Sequence, residues 1–316
     1  MAREKKSRWT PERVALARKL SLVGGAAALG AILIGVGLYQ LRKSVANSIA
    51  MQTEPPRVVI KNRPAWMSPL LHDDLCAAAR PARPQSALDR DALRQAVEAL
   101  RSNPASAPWI REVRQVRLLY GRRPGDTLEI DCEFRTPVAV VRWQDRYYLV
   151  DNEGCALPKP YAPEQLASVL YGRDHRINIR IVEGVAGGPP LPGQKWQGDD
   201  LAAGLDLVKL LGTPQYRAFT EEIVKVNVAN HGGRLDAREA HLVLATNHTP
   251  ETQVRWGRAV RAADAMVAEV PPTQKIEYLY RVFQEYGRVD AGRQWIDIRF
   301  DRITYPISAP EAHAAR

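Results

Sequence analysis

The sequence predicts an α+β protein: one N-terminal membrane helix, a small strand-helix-helix-strand-strand unit, then a longer strand-rich stretch with helices between the strands. Three observations predict it. Residues 20–41 read LSLVGGAAALGAILIGVGLYQL, an uncharged run behind a basic tail. Two helical patterns then precede a hairpin signal at Arg123-Pro124-Gly125-Asp126. After residue 136, period-two alternation returns in short segments as far as residue 307.

The span comes first. As a helix its 22 residues cover about 33 Å, enough for a hydrocarbon core of about 30 Å. The tail carries Arg3, Lys5, Lys6, Arg8, Arg13, Arg18 and Lys19 against Glu4 and Glu12. Basic flanks stay on the cytoplasmic side. The expectation is a cytoplasmic tail (1–19), a transmembrane helix (20–41), a linker (42–55) and an exported remainder, in a periplasmic or other extracytoplasmic space. A cleavable signal peptide has a shorter apolar core; Ser48-Ile49-Ala50 would be its processing site, but the run is long and Arg42-Lys43 follow it directly. A buried soluble helix of this length without a polar face is rare. Ala27, Ala31 and Gly35 recur every fourth residue, a stripe that lets another helix approach closely.

The formal charge is +10, and the first 19 residues supply +5 of it, seven basic against two acidic. The rest is only modestly basic, with no basic stripe interleaved with aromatics, so no nucleic-acid partner is expected. Three scattered cysteines, Cys76, Cys132 and Cys155, do not make a disulfide framework. Cys132 alternates with Leu128, Ile130 and Phe134 as an inward strand position, where a thiol acts as a small apolar group. Buried free thiols are the expectation, with a Cys132–Cys155 bridge the alternative in an oxidising compartment.

In the exported part, 57–61 reads as a strand and 69–79 as a helix, broken by Arg80-Pro-Ala-Arg-Pro84. Ser86 with Asp89 gives a capping-box start, and Leu93, Ala96, Val97 and Leu100 form one face of the next helix. Residues 113–120 and 127–135 make the hairpin, so helices lie on one face of a sheet. Strands follow at 138–143, 147–150, 177–182, 223–228, 241–245 and 253–256, with a final pair at 295–300 and 303–307. A helix starts at Asp199, with Leu201, Leu205, Val208 and Leu211 inward. Two more are expected at 258–270 and 273–286, the latter with a stripe of Ile276, Leu279, Tyr280 and Phe283. Residues 309–316 read as a disordered tail.

No catalytic constellation emerges. The chain has no phosphate-binding P-loop, no His-Glu-x-x-His pair and no Gly-x-Ser-x-Gly elbow. His231, His241 and His248 lack metal-ligand spacing. Asp199-Asp200 open a helix, and Asp73-Asp74 beside His72 are neighbours that do not share a helix face. The expectation is no enzyme, no cofactor, no metal and no small-molecule substrate.

Residues 108–157, PWIREVRQVRLLYGRRPGDTLEIDCEFRTPVAVVRWQDRYYLVDNEGCAL, carry a resemblance. Pro108-Trp109, Val116-Arg117, Pro124 with Thr127-Leu128 and Ile130, Glu133, Pro137-Val138-Ala139, Trp143, and Leu149-Val150-Asp151 with Gly154 occur in the order of the FtsQ/DivIB family of bacterial cell-division proteins. Downstream, His241-Leu-Val-Leu with Val254-Arg-Trp-Gly257 is similar to that family's penultimate strand pair, and Trp295-Ile-Asp-Ile-Arg-Phe300 to its closing strand. The chain resembles a divergent member: Arg80–Gln85 is an insertion, Ala105-Ser106-Ala107 lengthens the approach to Pro108, and an extra residue separates Glu133 from Pro137.

The resemblance implies a POTRA domain over 56–136 and a mostly antiparallel β domain with flanking helices over 137–308. It implies a non-enzymatic scaffold at the division site. Such a scaffold binds small bitopic partners, FtsB- and FtsL-like proteins, and links them to the septal peptidoglycan synthase. In that family the partner docks on the last strands, which here fall on Asp297, Arg299, Phe300, Ile303 and Tyr305. Ordinary cross-strand packing is the alternative role for Phe300 and Tyr305, and Pro306 would blunt the edge. The competing readings are a POTRA-bearing component of an envelope secretion or assembly system, and an anchored cell-wall hydrolase.

Overall fold

The first described element, α1 (Pro11–Ala50), contains a stretch, Arg18–Val45, with a mean hydropathy of 2.1 that is long and apolar enough to cross a membrane. Leu22, Ile32 and Leu38 stand exposed on different faces, the all-round apolar surface of a span and not of an amphipathic helix. The computed structural model describes residues 11–50, 55–81, 90–120, 124–170, 179–261 and 269–306. The expected cap at Ser86–Asp89 and the tail from 309 lie outside them. The chain is a mixed α+β protein, and it divides into two compact units: Met1–Lys61 with Ala79–Glu98 and Gln115–Ile130, and Asn62–Ala78 with Ala99–Arg114 and Asp131–Arg316.

Next in order come β1 (Arg57–Ile60), α2 (Pro69–Ala79), α3 (Arg90–Ser102), β2 (Ile110–Tyr120) and β3 (Pro124–Phe134). The three strands form one sheet in the order β1-β3-β2. In the first unit, β1 lies parallel to β3, Arg57 opposite Thr127 and Ile60 opposite Ile130. Two helices and a strand lie between them in sequence, the long crossover that parallel neighbours need. Val58, Ile60, Leu128 and Ile130 are buried by their alternation, and so is Ala96 on α3. β2 and β3 are neighbours in the sheet, and Pro124 and Asp126, expected in the turn, already belong to β3; residues 121–123 lie outside the described residues.

The second unit is built on a seven-stranded sheet. Its members are β4 (Pro137–Trp143), β5 (Arg146–Asp151), β6 (Arg180–Glu183), β7 (Ile223–Asn227), β8 (Leu242–Thr246), β9 (Gln253–Gly257) and β10 (Trp295–Asp297), in the order β10-β9-β8-β7-β6-β4-β5. The helices are α4 (Leu166–Leu170), α5 (Asp199–Leu211), α6 (Arg217–Thr220) and α7 (Pro272–Tyr286). The mostly antiparallel sheet expected from the resemblance is not what forms. β4–β5, β7–β8 and β8–β9 are antiparallel, whereas β4–β6, β6–β7 and β9–β10 are parallel. The reason is connectivity. α4, α5 and α7 sit in the links that join the parallel pairs, and a helical crossover returns the chain in the same direction.

The pleat sorts the apolar residues to two faces. Ala139, Val141, Val150, Val182, Val226, Leu244 and Val254 face α5 and α7 in the main core, with Leu201, Leu205, Leu279 and the fully buried Trp256. Val140, Leu149 and Ile181, one step off along their strands, point the other way and pack with Leu157, Leu170 and Ile179, and with Trp109 at their margin. The Asp-x-x-Gly turn after β5 shows why those residue types stand there. Asp151 Oδ1 accepts from the amides of Glu153 (2.9 Å) and Cys155 (2.8 Å), and Gly154 holds a left-handed φ of 81°.

Three further expectations change. The closing strand pair shrinks to β10 and a single antiparallel bridge, Asp297 to Thr304, because the chain reverses through Phe300-Asp301-Arg302. The described ends of the expected helix 258–270 are not helical. On α7 the inward tyrosine is Tyr278; Tyr280 is half exposed, with its ring against Phe219.

Candidate functional site

β10 closes one end of the seven-stranded sheet, so its register shows which backbone groups face outward. Ile298 N–H donates to Arg255 O, and Gln253 N–H to Gln294 O, which turns the backbone of Ile296 toward β9 and that of Trp295 and Asp297 away from it. Asp297 exchanges two bonds with Thr304, at 2.9 and 3.0 Å. The backbone groups of Ile303 and Tyr305 therefore face away from the sheet, and no described residue pairs with them. Trp295 falls in register with Pro306, which has no N–H to give it. The outermost edge of the sheet is thus the segment 303–305.

The five expected partner-binding residues gather here in three settings. Asp297 and Arg299 are buried and bonded to each other, Nη2 to Oδ2 at 2.7 Å, so they act as a strut. The carboxylate raises the Arg299 pKa, and Arg299 Nη1 also donates to Arg238 O at 3.0 Å. Phe300 is exposed, beneath the Arg299 guanidinium at 5.0 Å from the ring centroid. Ile303 and Tyr305 lie partly buried against the main core, and burial pushes the Tyr305 phenol up.

Helix α7 and the segment that leads into it fix this hairpin through residues that sequence reasoning missed. Tyr278 OH donates to Asp301 O at 2.8 Å, and Val270 N–H to Arg299 O at 2.8 Å. Buried Lys275 donates to Trp256 O (2.7 Å) and to Glu269 (2.8 Å), and burial lowers its pKa. The signal for Tyr278 was present: it lies one residue before Leu279 on a helix with a wide apolar face.

The other candidates separate. Ala27, Ala31 and Gly35 are exposed on α1, at a spacing that puts them on one face. Asp199 caps nothing and stays exposed, while Asp200 is buried and accepts from the amides of Ala186 and Leu201 and from Arg234 (2.7 Å). His248 meets Glu222 at 3.2 Å; His72 does reach Asp73, at 3.1 Å. Among the described residues one trio, Asp151, Glu153 and Cys155, has the spacing of a metal group. Arg135 holds Asp151 at 2.6 Å and the turn amides take its other oxygen, so a cation there would have to displace a guanidinium. All three cysteines are free thiols. No protein-family model matches the chain, and a comparison with curated proteins gives no match.

Proposed function

We propose that the chain is a bitopic scaffold of the bacterial cell-division machinery, of the FtsQ/DivIB type, acting by binding and not by catalysis. The observation that carries the reading is the edge at 303–305, beside β10: outward amides and carbonyls, exposed Phe300, and a buried Asp297–Arg299 strut behind them. A partner segment adds a strand there, and Phe300 and Tyr305 supply its side-chain contacts. The order of β1, α2, α3, β2 and β3, with β3 central in its sheet, fits a POTRA-type unit. The partners are small single-span FtsB- and FtsL-like proteins, which tie the scaffold to the septal peptidoglycan synthase. The basic tail keeps the N-terminus in the cytoplasm, the remainder lies outside, and the stripe Ala27, Ala31, Gly35 is where a partner's span packs.

A full-length fusion with a fluorescent protein on the N-terminus tests this in growing cells. A band at the constriction is expected. A uniform envelope signal throughout constriction rejects the reading. In pull-downs, Phe300→Ala with Tyr305→Ala should cut recovery of single-span partners about tenfold, with membrane retention unchanged.

A further inference from the structure

The three thiols do not share a chemistry. Cys132 and Cys155 are 4% and 7% exposed, and burial, with a carboxylate beside each, raises both. Cys76 is only partly buried on α2, and none of the three is in a disulfide. Among the described residues, it is the thiol with an imidazole in reach.

Helix geometry makes the pair. Leu71, Leu75 and Ala79 form one row at four-residue spacing, and Leu75 and Ala79 are each 1% exposed. His72 and Cys76 form the next row, about 100° round the helix, at the margin of the buried face. Cα–Cβ bonds tilt toward a helix N-terminus, so the short Cys76 side chain leans over the turn that carries His72. Its Sγ lies 3.7 Å from His72 Nε2, and the other ring nitrogen, Nδ1, lies 3.1 Å from Asp73 Oδ1. One tautomer satisfies both contacts: Nδ1–H donates to the carboxylate, and the Nε2 lone pair faces the thiol. Nucleophile, base and orienting carboxylate thus stand in the order that activates a thiol, whose thiolate is the attacking form.

The surroundings narrow the co-reactant. Asp73 and Asp74 stand exposed within one turn of Cys76, on its N-terminal side, against Arg80 past the helix end. Acyl or phosphoryl transfer would develop an oxyanion beside these carboxylates, which repel it. Thiol–disulfide exchange passes the charge from sulfur to sulfur and needs no oxyanion donor. The same carboxylates attract a cationic reactant and hold off an anionic one.

We propose that Cys76, with His72 as its base and Asp73 orienting that base, is a site of reversible mixed-disulfide formation with a small cationic disulfide. The thiol proton passes to His72 Nε2, and the thiolate attacks one sulfur of the disulfide. A Cys76 S–S bond forms, the original S–S bond breaks, and the leaving thiolate takes the proton back from the imidazolium. Cys76 is oxidised and the leaving half reduced, so no further oxidant is needed. The proposal does not depend on the division reading. The test uses the full chain in nanodiscs with cystamine and oxidised glutathione as probes, followed by intact mass. One adduct is expected, absent from Cys76→Ser, removed by dithiothreitol, and formed faster from cystamine, with the gap narrowing as salt is raised. His72→Gln, checked by an unchanged circular dichroism spectrum, should slow the cystamine reaction about tenfold at pH 7 and move its rise to higher pH. A native rate no greater than that of a thiol in the urea-unfolded chain overturns the proposal, as does a His72→Gln variant as fast as wild type. Faster reaction with oxidised glutathione overturns the cationic assignment, and an adduct that dithiothreitol leaves in place overturns the disulfide.

Discussion

Asp200 and Arg234 stand 34 residues apart in sequence and 2.7 Å apart in the fold, and together they fasten the loops after β6 and β7. Arg234 also donates to the carbonyls of Gly184, Ala229 and Val228, while Asp200 takes two amides. Burial raises the Asp200 pKa, but the amide bonds and the guanidinium outweigh it, and the net shift is downward. A carboxylate held low in the fold stabilises it above the unfolded value near 3.9, and that contribution is lost as pH falls through the folded value. Asp200→Ala should therefore cost about 2–4 kcal/mol at neutral pH. The variant's denaturation midpoint should also fall less steeply than the wild type's below pH 4. Cys132 makes a second prediction at this scale. Burial, with the Asp131 charge beside it, pushes its thiol up to about 11, so only about one molecule in a thousand carries the thiolate at pH 8. Native protein should leave Cys132 unalkylated by iodoacetamide while the half-buried Cys76 reacts, and urea should bring the count to three.

Among the elements, α5 shows how tightly a crossover helix sits on the parallel strands it joins. A Cβ on Gly204 would lie 2.9 Å from Val182 Cγ1 and 3.1 Å from Val228 Cγ1. Gly204→Ala gains about 1 kcal/mol of helix propensity but overpacks this contact by about 1–3 kcal/mol. The expected result is a melting temperature a few degrees lower; a higher one would mean that the helix can lift off the sheet. The amphipathic stripe of α5, with Leu201, Leu205, Val208 and Leu211, was legible because its period is local. So were β4, β5 and β7 to β9 as short apolar segments, although β4 and β5 are buried on both faces and so carry no simple alternation. Strand direction was not legible, because alternation is the same in parallel and antiparallel pairs; only the placement of helices between strands encodes it. The edge was half legible. Phe300 and Tyr305 were expected near it from order along the chain, but the strut, the Tyr278 bond and the Thr304 bridge join residues whose types carry no local signal.

For the whole molecule the governing asymmetry is charge across the span. Seven basic residues precede residue 20, whereas Arg42 and Lys43 follow residue 41 with no further basic residue until Arg57. Positive charge within reach of a span resists translocation, and acidic residues count for little in that balance. On the proposed orientation the N-terminal side stays in the cytoplasm, and the terminal edge is presented outside. Protease added to spheroplasts should remove the exported part and leave a tag on the N-terminus intact; protection of the exported part would reverse the assignment. Replacing Arg3, Lys5, Lys6 and Arg8 with serine and adding lysines at residues 46–48 should shift part of the population to the opposite orientation. That variant also separates topology from folding. Its inverted molecules should retain the cooperative melt of the second unit, because that core uses no disulfide, yet lose every contact that depends on the extracytoplasmic side.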